Sequence, residues 1–234
     1  MTNLLIFGAS RGLGAAFNAG LPEPGDAVWL VSRSRPELEI DDGAQRQWIQ
    51  ADLSAPEAGD RVAHAMGRQR LDVLLYNAGI WESRAFEPDY DFEKVGEAET
   101  ARIIAVNLTA PIVCIQKLLP NLRQSGNPKI ILIGSTSGLE NARAPEVAYT
   151  ASKFGLRGVA HALREVVRRD RIGVTCINPG DITTYVGGPA DRRVSNPNSL
   201  PTDDLVAIVR CVMRLSRATC IKEIDLPAMS DVAA

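Results

Sequence analysis

The fold is decided near the N-terminus by the stretch Leu4-Leu5-Ile6-Phe7-Gly8-Ala9-Ser10-Arg11-Gly12-Leu13-Gly14. Its first four residues are apolar and predict a buried strand, and the residues from Gly12 onward predict a helix. Glycines at this spacing permit a tight turn, close approach of a pyrophosphate to the backbone, and close packing of helix on strand. The free N–H groups at the start of the helix, together with its dipole, favour a phosphate. The stretch therefore predicts a dinucleotide-binding turn, with a plain strand–helix connection as the alternative.

The rest of the chain repeats this alternation of short apolar runs with longer segments of helical periodicity. Strands that are apolar throughout are typical of a parallel sheet buried on both faces. The pattern predicts an α/β fold, a doubly wound parallel sheet with helices on both faces. The predicted strands are Leu4–Phe7, Ala27–Val31, Trp48–Ala51, Val73–Tyr76, Ile130–Ile133, Val174–Ile177 and Ile221–Leu226. The predicted helices lie near residues 12–19, 57–69, 98–122, 149–169 and 203–216.

Length and composition narrow the class of protein. The 234 residues, 45% hydrophobic and 23% charged, fit one domain over residues 1–234 with a sizeable core. A formal net charge of -2 gives no electrostatic argument for nucleic acid or an anionic membrane as a partner. The four cysteines are irregularly spaced, which favours free thiols, and two histidines exclude a multi-histidine metal site. We find no targeting segment and no run of about 20 apolar residues, so we expect a cytoplasmic protein.

Two segments interrupt the alternation of strands and helices. Residues 82–99 carry seven acidic side chains and are predicted to form a lid or an interface. Residues 185–201 are rich in glycine and proline, which predicts a mobile loop over the substrate pocket. Arg192 and Arg193 in this loop would suit an acidic substrate, or they would be exposed surface charges.

The end of the second predicted strand, Val31-Ser32-Arg33-Ser34-Arg35, bears on which dinucleotide is bound. An acidic residue there would bind the ribose 2′-hydroxyl of NAD, whereas a basic one accommodates the 2′-phosphate of NADP. This stretch has no carboxylate, and Arg11 of the glycine turn offers a second guanidinium for the same phosphate. The sequence therefore favours NADP(H), with exposed surface arginines as the alternative.

A tyrosine and a lysine four residues apart lie on one face of a helix, and Tyr149 and Lys153 have this spacing. Tyr90 and Lys94 have it too, but only the first pair continues the apolar stripe of a helix. A free phenol titrates near pH 10, and a nearby ammonium stabilises the phenolate. We therefore expect Lys153 to lower the pKa of Tyr149 and to make it an acid–base group.

Two further features belong near this pair. The turn Gly134-Ser135-Thr136-Ser137-Gly138 follows a predicted strand, and its Ser135 would hydrogen-bond a substrate carbonyl. Ser137 is an equally open choice, and a plain turn is the alternative. Pro111 has no N–H, so within an α-helix it leaves the carbonyl of Asn107 without its helical donor. We expect that carbonyl to hold a water molecule.

Together these motifs resemble the short-chain dehydrogenase/reductase family, in the order typical of it and over nearly the whole chain. The resemblance implies a Rossmann-like fold and a catalytic set of Asn107, Ser135, Tyr149 and Lys153. It also implies that Ile182 and Thr184 hold the nicotinamide carboxamide, and that Asp52 and Leu53 meet the adenine. The residues implied in cofactor binding are Gly8, Ser10, Arg11, Gly12, Leu13, Gly14, Ser32, Arg33, Asp52, Leu53, Asn77, Ala78, Gly79, Tyr149, Lys153, Pro179, Gly180, Ile182 and Thr184.

The function that follows is an NADPH-dependent oxidoreductase that reduces a carbonyl to an alcohol, or runs the reverse reaction. The resemblance implies a small-molecule carbonyl or alcohol substrate, and a homodimer or homotetramer. A non-catalytic NADP-binding sensor or scaffold is the alternative. Two departures from the family are visible: Phe7 stands where it usually has threonine, and Ser135 precedes Tyr149 by 14 positions, one more than expected. We expect the first to alter packing and the second to lengthen a loop over the active site.

Overall fold

A computed structural model describes residues 1–140, 144–183 and 199–229 of the chain. Within them, seven strands form one parallel sheet in the order β3-β2-β1-β4-β5-β6-β7. The predicted doubly wound α/β fold is therefore confirmed. The strands are β1 (Asn3–Phe7), β2 (Ala27–Ser32), β3 (Gln45–Gln50), β4 (Val73–Tyr76), β5 (Lys129–Ile133), β6 (Gly173–Pro179) and β7 (Glu223–Leu226).

The helices cover both faces of this sheet and define two apolar layers. Leu5 and Phe7 of β1 point into one layer and Leu4 and Ile6 into the other, and all four side chains are buried. Alternate residues of a strand face opposite sides, so a strand buried on both faces is apolar at every position. The first layer holds α2 (Ala58–Met66), α4 (Ala110–Leu122) and α5 (Val147–Val166), and the second holds α1 (Gly12–Gly20) and α6 (Thr202–Arg214).

Most predicted elements differ from the structure by a few residues at their ends, and two differ more. β3 begins at Gln45, three residues before the predicted Trp48, because the edge strand tolerates exposed polar side chains. The helix predicted near 98–122 is divided into α3 (Glu97–Ile104), a π-helical segment at Ala105–Thr109, and α4. Residues 184–198, which include Thr184, Arg192, Arg193 and most of the predicted loop 185–201, lie outside the described residues.

Two expectations that rested on composition have different outcomes. The four cysteines are free, with Cys114 and Cys176 buried and Cys211 and Cys220 exposed, as predicted. The sequence has no run of about 20 apolar residues, but the helix Glu97–Leu122 is long and apolar enough on average to cross a membrane. Core helices commonly meet it as well, and this helix packs its apolar side on the sheet. It is therefore only weak evidence for a membrane.

Candidate active site

The predicted motifs meet at one edge of the sheet, where the parallel strands end. The glycine turn follows β1, Asn77 follows β4, Ser135 follows β5, and Gly180 follows β6. The order of strands reverses between β1 and β4, and open α/β sheets bind ligands in the crevice at such a point. The fold thus positions the candidate residues around one crevice.

The glycine turn packs so closely on its neighbours that positions 8 and 14 have no room for a side chain. Gly8 and Gly12 have φ angles of +77° and +53°, in the region that favours glycine. A Cβ on Gly14 would lie 1.8 Å from the carbonyl oxygen of Gly8, and a Cβ on Gly8 would lie 2.8 Å from the Cα of Ala78. The Asn77 Nδ2 also donates to the Gly8 carbonyl at 3.3 Å. The turn therefore presents bare backbone at the start of α1.

The end of β2 carries the residues predicted to choose the dinucleotide. Arg33 is exposed and lines a cavity of about 420 Å³ together with Asp52 and Arg61. The backbone N–H of Ser54 lowers the pKa of Asp52, and the Arg33 guanidinium lowers it further. The Ser32 hydroxyl, in contrast, donates to the Ser34 carbonyl at 2.7 Å and accepts from Trp48 at 3.2 Å. Hence Arg33 faces an open cavity, whereas the Ser32 hydroxyl is used inside the protein.

Other predicted contacts of the dinucleotide lie around the same crevice. Arg11 is exposed at the residue before α1, and no acidic side chain occupies the first turn of that helix. Leu53 is buried in the first apolar layer and does not line the cavity at Arg33, whereas Asp52 before it does. After β6, the N–H of Gly180 donates to the Leu226 carbonyl at 2.8 Å, and Ile182 pairs with Leu200. The backbone around residues 180–182 is therefore fixed by contacts with distant parts of the chain.

Tyr149 and Lys153 are both buried in the first two turns of α5. The Lys153 Nζ lies 5.5 Å from the centroid of the Tyr149 ring and donates to the Ile133 carbonyl at 3.0 Å. Burial lowers the pKa of Lys153 to about 8. A Cβ on Gly79 would lie 3.4 Å from this Nζ, so the Asn77-Ala78-Gly79 segment passes directly over the lysine.

The expected lowering of the pKa of Tyr149 is wrong for the structure as it stands. Burial of the phenol is the largest influence and raises the pKa, because a phenolate loses its hydration there. A hydrogen bond with the Ser135 hydroxyl lowers the pKa, and the carboxylates of Glu146 and Glu82 raise it. The net effect is a phenol that holds its proton more firmly than in water.

The same hydrogen bond favours Ser135 over Ser137 as the partner of Tyr149. Ser135 is buried, and its Oγ also accepts from the N–H of Ser137 at 3.1 Å. That second bond fixes the short turn Thr136–Gly138 and the direction of the Ser135 hydroxyl. Ser135 and Tyr149 thus present two adjacent hydroxyl groups to the crevice.

Asn107 connects the site to the segment after β4. It is buried in the π-helical segment, and its Oδ1 accepts from the N–H of Ile80 at 2.9 Å. Its Nδ2 donates to the Ile80 carbonyl at 2.7 Å and to the Ser152 Oγ at 2.9 Å. The side chain of Asn107 therefore ties the Asn77–Ile80 segment to α5, a structural role that the sequence did not indicate.

The π-helical register bears on which carbonyl Pro111 leaves without a donor. In the π-helical segment each N–H pairs with the carbonyl five residues earlier, as Ala110 does with Ala105. In that register the missing N–H of Pro111 leaves the carbonyl of Val106 without a helical donor. In the α register it would leave that of Asn107, so the water molecule expected there stays a prediction. The buried Tyr76 hydroxyl donates to the Val106 carbonyl at 2.6 Å. A tyrosine from β4 therefore stabilises the irregular segment of the helix.

Tyr76→Phe is expected to lower the free energy of unfolding by about 1–2 kcal/mol, because it leaves the buried Val106 carbonyl without a donor. Phe7 packs on the Tyr76 ring at 5.0 Å and would keep the ring in place. Urea denaturation followed by circular dichroism measures the change. Tyr90→Phe, the same chemical change in another segment, is the control and should cost less than about 0.5 kcal/mol. Equal stability of Tyr76→Phe and the unmodified protein would contradict the assigned role.

Sequence reasoning missed two buried carboxylates beside Tyr149. Glu82 is 1% exposed, and its Oε1 accepts from the N–H groups of Ala148 and Tyr149 at 2.9 and 3.3 Å. Glu146 is 2% exposed, and its Oε1 accepts from the N–H of Phe86 at 3.0 Å. The density of acidic residues in 82–99 was visible in the sequence, but the burial of one of them was not. These two side chains fasten the segment after β4 to the start of α5.

Fold and site together define a Rossmann-like α/β protein with a tyrosine, a lysine and a serine gathered beside a glycine turn. A model of the short chain dehydrogenase family matches residues 2–194. The chain therefore belongs to the short-chain dehydrogenase/reductase family and is an oxidoreductase, which confirms the resemblance seen in the sequence.

Individual relatives agree with this assignment. The rhamnolipids biosynthesis 3-oxoacyl-(acyl-carrier-protein) reductase of Pseudomonas aeruginosa is 34% identical over 215 residues, covering 85% of this chain and 78% of that protein. A metagenomic short-chain oxidoreductase solved in complex with NADP covers 97% of both chains with a TM-score of 0.76 and 27% identity. An NADH-dependent reductase responsible for alginate metabolism covers 98% of this chain and 96% of that chain, with a TM-score of 0.80. At 20% identity this last likeness concerns the fold alone.

Proposed function

We propose that this chain is an NADPH-dependent reductase that converts a small-molecule carbonyl to an alcohol, or catalyses the reverse oxidation. The observation that carries the proposal is the placement of the buried Ser135 and Lys153 beside the buried Tyr149: the Ser135 hydroxyl acts on the pKa of the phenol, and the Lys153 Nζ lies 5.5 Å from the centroid of its ring. These groups stand at the crevice that the glycine turn borders. A non-catalytic dinucleotide-binding protein would have no need of this acid–base set.

The residues around the crevice fit a bound dinucleotide. The backbone of Gly8 and Gly14 forms a cradle that any Cβ would fill, and α1 begins there without an acidic side chain. Such a helix start binds a pyrophosphate, and the Arg11 and Arg33 guanidinium groups would bind a 2′-phosphate. NADPH bound there would supply the hydride for the carbonyl carbon. NADP complexes of a relative support this choice, although a structural neighbour is NADH-dependent.

The chain's own residues manage the proton. Because the pKa of Tyr149 is raised, the phenol is protonated at neutral pH and can donate to a carbonyl oxygen. The Ser135 hydroxyl would hydrogen-bond the same oxygen and polarise the carbonyl. Lys153 would stabilise the phenolate that remains, since its pKa of about 8 keeps it an ammonium at neutral pH. Donation by Tyr149 favours the direction of reduction.

A paired titration with NADPH and NADH, followed by calorimetry, tests the proposal. Tight NADPH with weak NADH, and NADPH oxidation on addition of an aldehyde, is the expected result. Tight NADH would overturn the choice of cofactor but not the reaction, and binding of neither would overturn the whole proposal. The cytoplasmic location and the homodimer or homotetramer remain predictions. Sedimentation of the purified protein tests the oligomeric state.

Glu146→Gln is expected to move the alkaline decline of the reduction rate to lower pH. The Glu146 carboxylate raises the pKa of Tyr149, so removing its charge lets the phenol ionise at lower pH, and reduction needs the protonated phenol. Glutamine keeps an oxygen that can accept from Phe86. The measurement is kcat against pH at saturating NADPH, with Glu93→Gln as the exposed control. Loss of the Lys153 ammonium near pH 8 gives a first decline, and the ionisation of Tyr149 gives a second at higher pH; only the second should move. An unshifted profile would show that Glu146 does not act on Tyr149.

A further inference from the structure

Two aromatic side chains, Trp81 and Phe86, pack on the ring of Tyr149, the proposed proton donor. The rings of Trp81 and Phe86 lie 6.2 and 6.0 Å from the Tyr149 ring, and 5.9 Å from each other, all in edge-to-face contact. Trp81 is 52% exposed and Phe86 60% exposed, whereas Tyr149 is 9% exposed. The two outer rings therefore offer open apolar surface directly beside the phenol. Large exposed aromatic side chains grouped in this way commonly mark a binding surface.

The turn that carries these rings is fastened at both of its ends. Glu82 accepts from the start of α5 through its side chain, and its carbonyl accepts from the N–H of Ala85 at 2.9 Å. From the opposite direction, the Glu146 side chain accepts from the N–H of Phe86 at 3.0 Å. These bonds cross between segments more than 60 residues apart, as their separations of 66 and 60 residues show. The backbone that carries the two rings is therefore attached to the start of α5, next to Tyr149.

The backbone at Phe86 is strained, which a mere connecting turn would not require. Its φ angle is +67°, a region that bulky residues rarely adopt and that costs of order 1–3 kcal/mol. A glycine or asparagine would relieve that strain. The bond from Phe86 to the buried Glu146 offsets it, and the result is a phenylalanine ring directed at Tyr149. Strain of this kind is typical of ligand-binding turns.

The charges near the rings disfavour an anion. Glu82 and Glu146 form no ion pair within the described part of the chain, and the second oxygen of each is buried without a hydrogen-bond partner. Their charge acts on the phenol itself, since both carboxylates raise the pKa of Tyr149. A negatively charged group of a ligand at the same place would be repelled for the same reason.

We propose that Trp81 and Phe86 form the substrate-binding wall of this active site and select uncharged aromatic carbonyl compounds, a proposal that rests on the reductase function above. The flat face of an aryl aldehyde or ketone stacks on these rings and brings its carbonyl oxygen to Tyr149 and Ser135. The buried carboxylates exclude acidic analogues of the same shape. The specificity of the site thus comes from the segment after β4.

The test compares three aldehydes at saturating NADPH: methyl 4-formylbenzoate, its acid 4-formylbenzoate, and hexanal. We expect kcat/KM to be highest for the neutral aryl ester. Trp81→Ala and Phe86→Ala should each lower kcat/KM for that ester by about tenfold, mainly through KM, because each removes an aromatic contact. The value for hexanal should stay within about threefold, since a short alkyl chain gains little from stacking. Phe92→Ala, an exposed phenylalanine of the same acidic segment, is the matched control and should change neither.

The outcomes separate this inference from the function on which it rests. If hexanal or the anionic aldehyde is the best substrate, or if neither alanine variant changes the ratio of aryl ester to hexanal, the inference is wrong and the reductase function stands. If the unmodified protein binds NADPH but reduces none of the aldehydes, the proposed function fails and the inference fails with it. Retained NADPH affinity in both alanine variants verifies that they are folded.

Discussion

Replacing Tyr149 by phenylalanine is expected to lower kcat by about 10²- to 10⁴-fold, the usual contribution of a general acid, while the Kd for NADPH stays nearly unchanged. The variant keeps the ring and its contacts with Trp81 and Phe86, so the packing at the start of α5 is preserved. It loses only the hydroxyl that hydrogen-bonds Ser135 and would protonate the carbonyl oxygen. Steady-state NADPH oxidation and calorimetric titration of NADPH provide the two measurements.

The control for this variant comes from the same sequence spacing elsewhere in the chain. Tyr90 and Lys94 also stand four residues apart, but Lys94 is exposed and forms an ion pair with Asp91. Tyr90→Phe should therefore leave kcat nearly unchanged. If Tyr149→Phe retained normal turnover, Tyr149 would have no role in the reaction, and the pair formed with Ser135 would be structural.

The second large effect is expected at the dinucleotide. Arg33→Ala should raise the Kd for NADPH by on the order of 100-fold, because it removes charge-assisted hydrogen bonds to a 2′-phosphate. NADH lacks that phosphate, so its Kd should change little. Arg33 lines the cavity at the end of β2 together with Asp52, which places it within reach of a ribose bound there.

Arg35→Ala is the matched control for Arg33→Ala. Arg35 is an exposed arginine two residues further along the chain, and it does not line the cavity. It should leave both dissociation constants nearly unchanged, and it carries the same loss of one positive charge. Equal weakening of NADPH and NADH in Arg33→Ala would place the 2′-phosphate elsewhere. Equal effects of the two variants would mean that Arg33 contributes only a general positive charge and no specific contact with the phosphate.

The sheet could be predicted because each of its buried strands can be recognised from its own residues. A strand covered on both faces must be apolar at successive positions, as Leu4, Leu5 and Ile6 are, and no knowledge of distant residues is needed. The start of β3 could not be predicted, for the opposite reason. It is an edge strand whose Gln45 and Gln47 are exposed, so its sequence resembles that of a loop.

The motif residues of the site could also be predicted, but their surroundings could not. Tyr149, Lys153 and Ser135 are recognised from short spacings within single elements. The burial of Glu82 depends on an N–H group 66 residues away, and spacing along the chain contains no such information. The sign of the change in the pKa of Tyr149 has the same origin. Burial is the largest influence on this pKa, and it arises only once the fold encloses the phenol.

The effect of Pro111 could be predicted only in part. The missing N–H is a property of the residue and could be predicted from the sequence. Which carbonyl it exposes depends on whether the helix is in the α or the π register, and that choice depends on Tyr76 from a different strand. The residue type therefore predicts that a carbonyl is left without a donor, whereas the fold decides which one.

The close contacts of the glycine turn determine where this protein can change during evolution. A Cβ at Gly8 or Gly14 would collide with backbone atoms of Ala78 and Gly8, and backbone cannot move aside as a flexible side chain can. Substitutions at these two glycines are therefore expected to disrupt the turn, whether they arise naturally or in a laboratory library. Trp81 and Phe86, with more than half of each side chain in solvent, are not enclosed in this way, although the positive φ angle of Phe86 favours glycine or asparagine there. A directed-evolution library confined to these two positions would vary the proposed substrate-binding wall and leave the glycine turn intact.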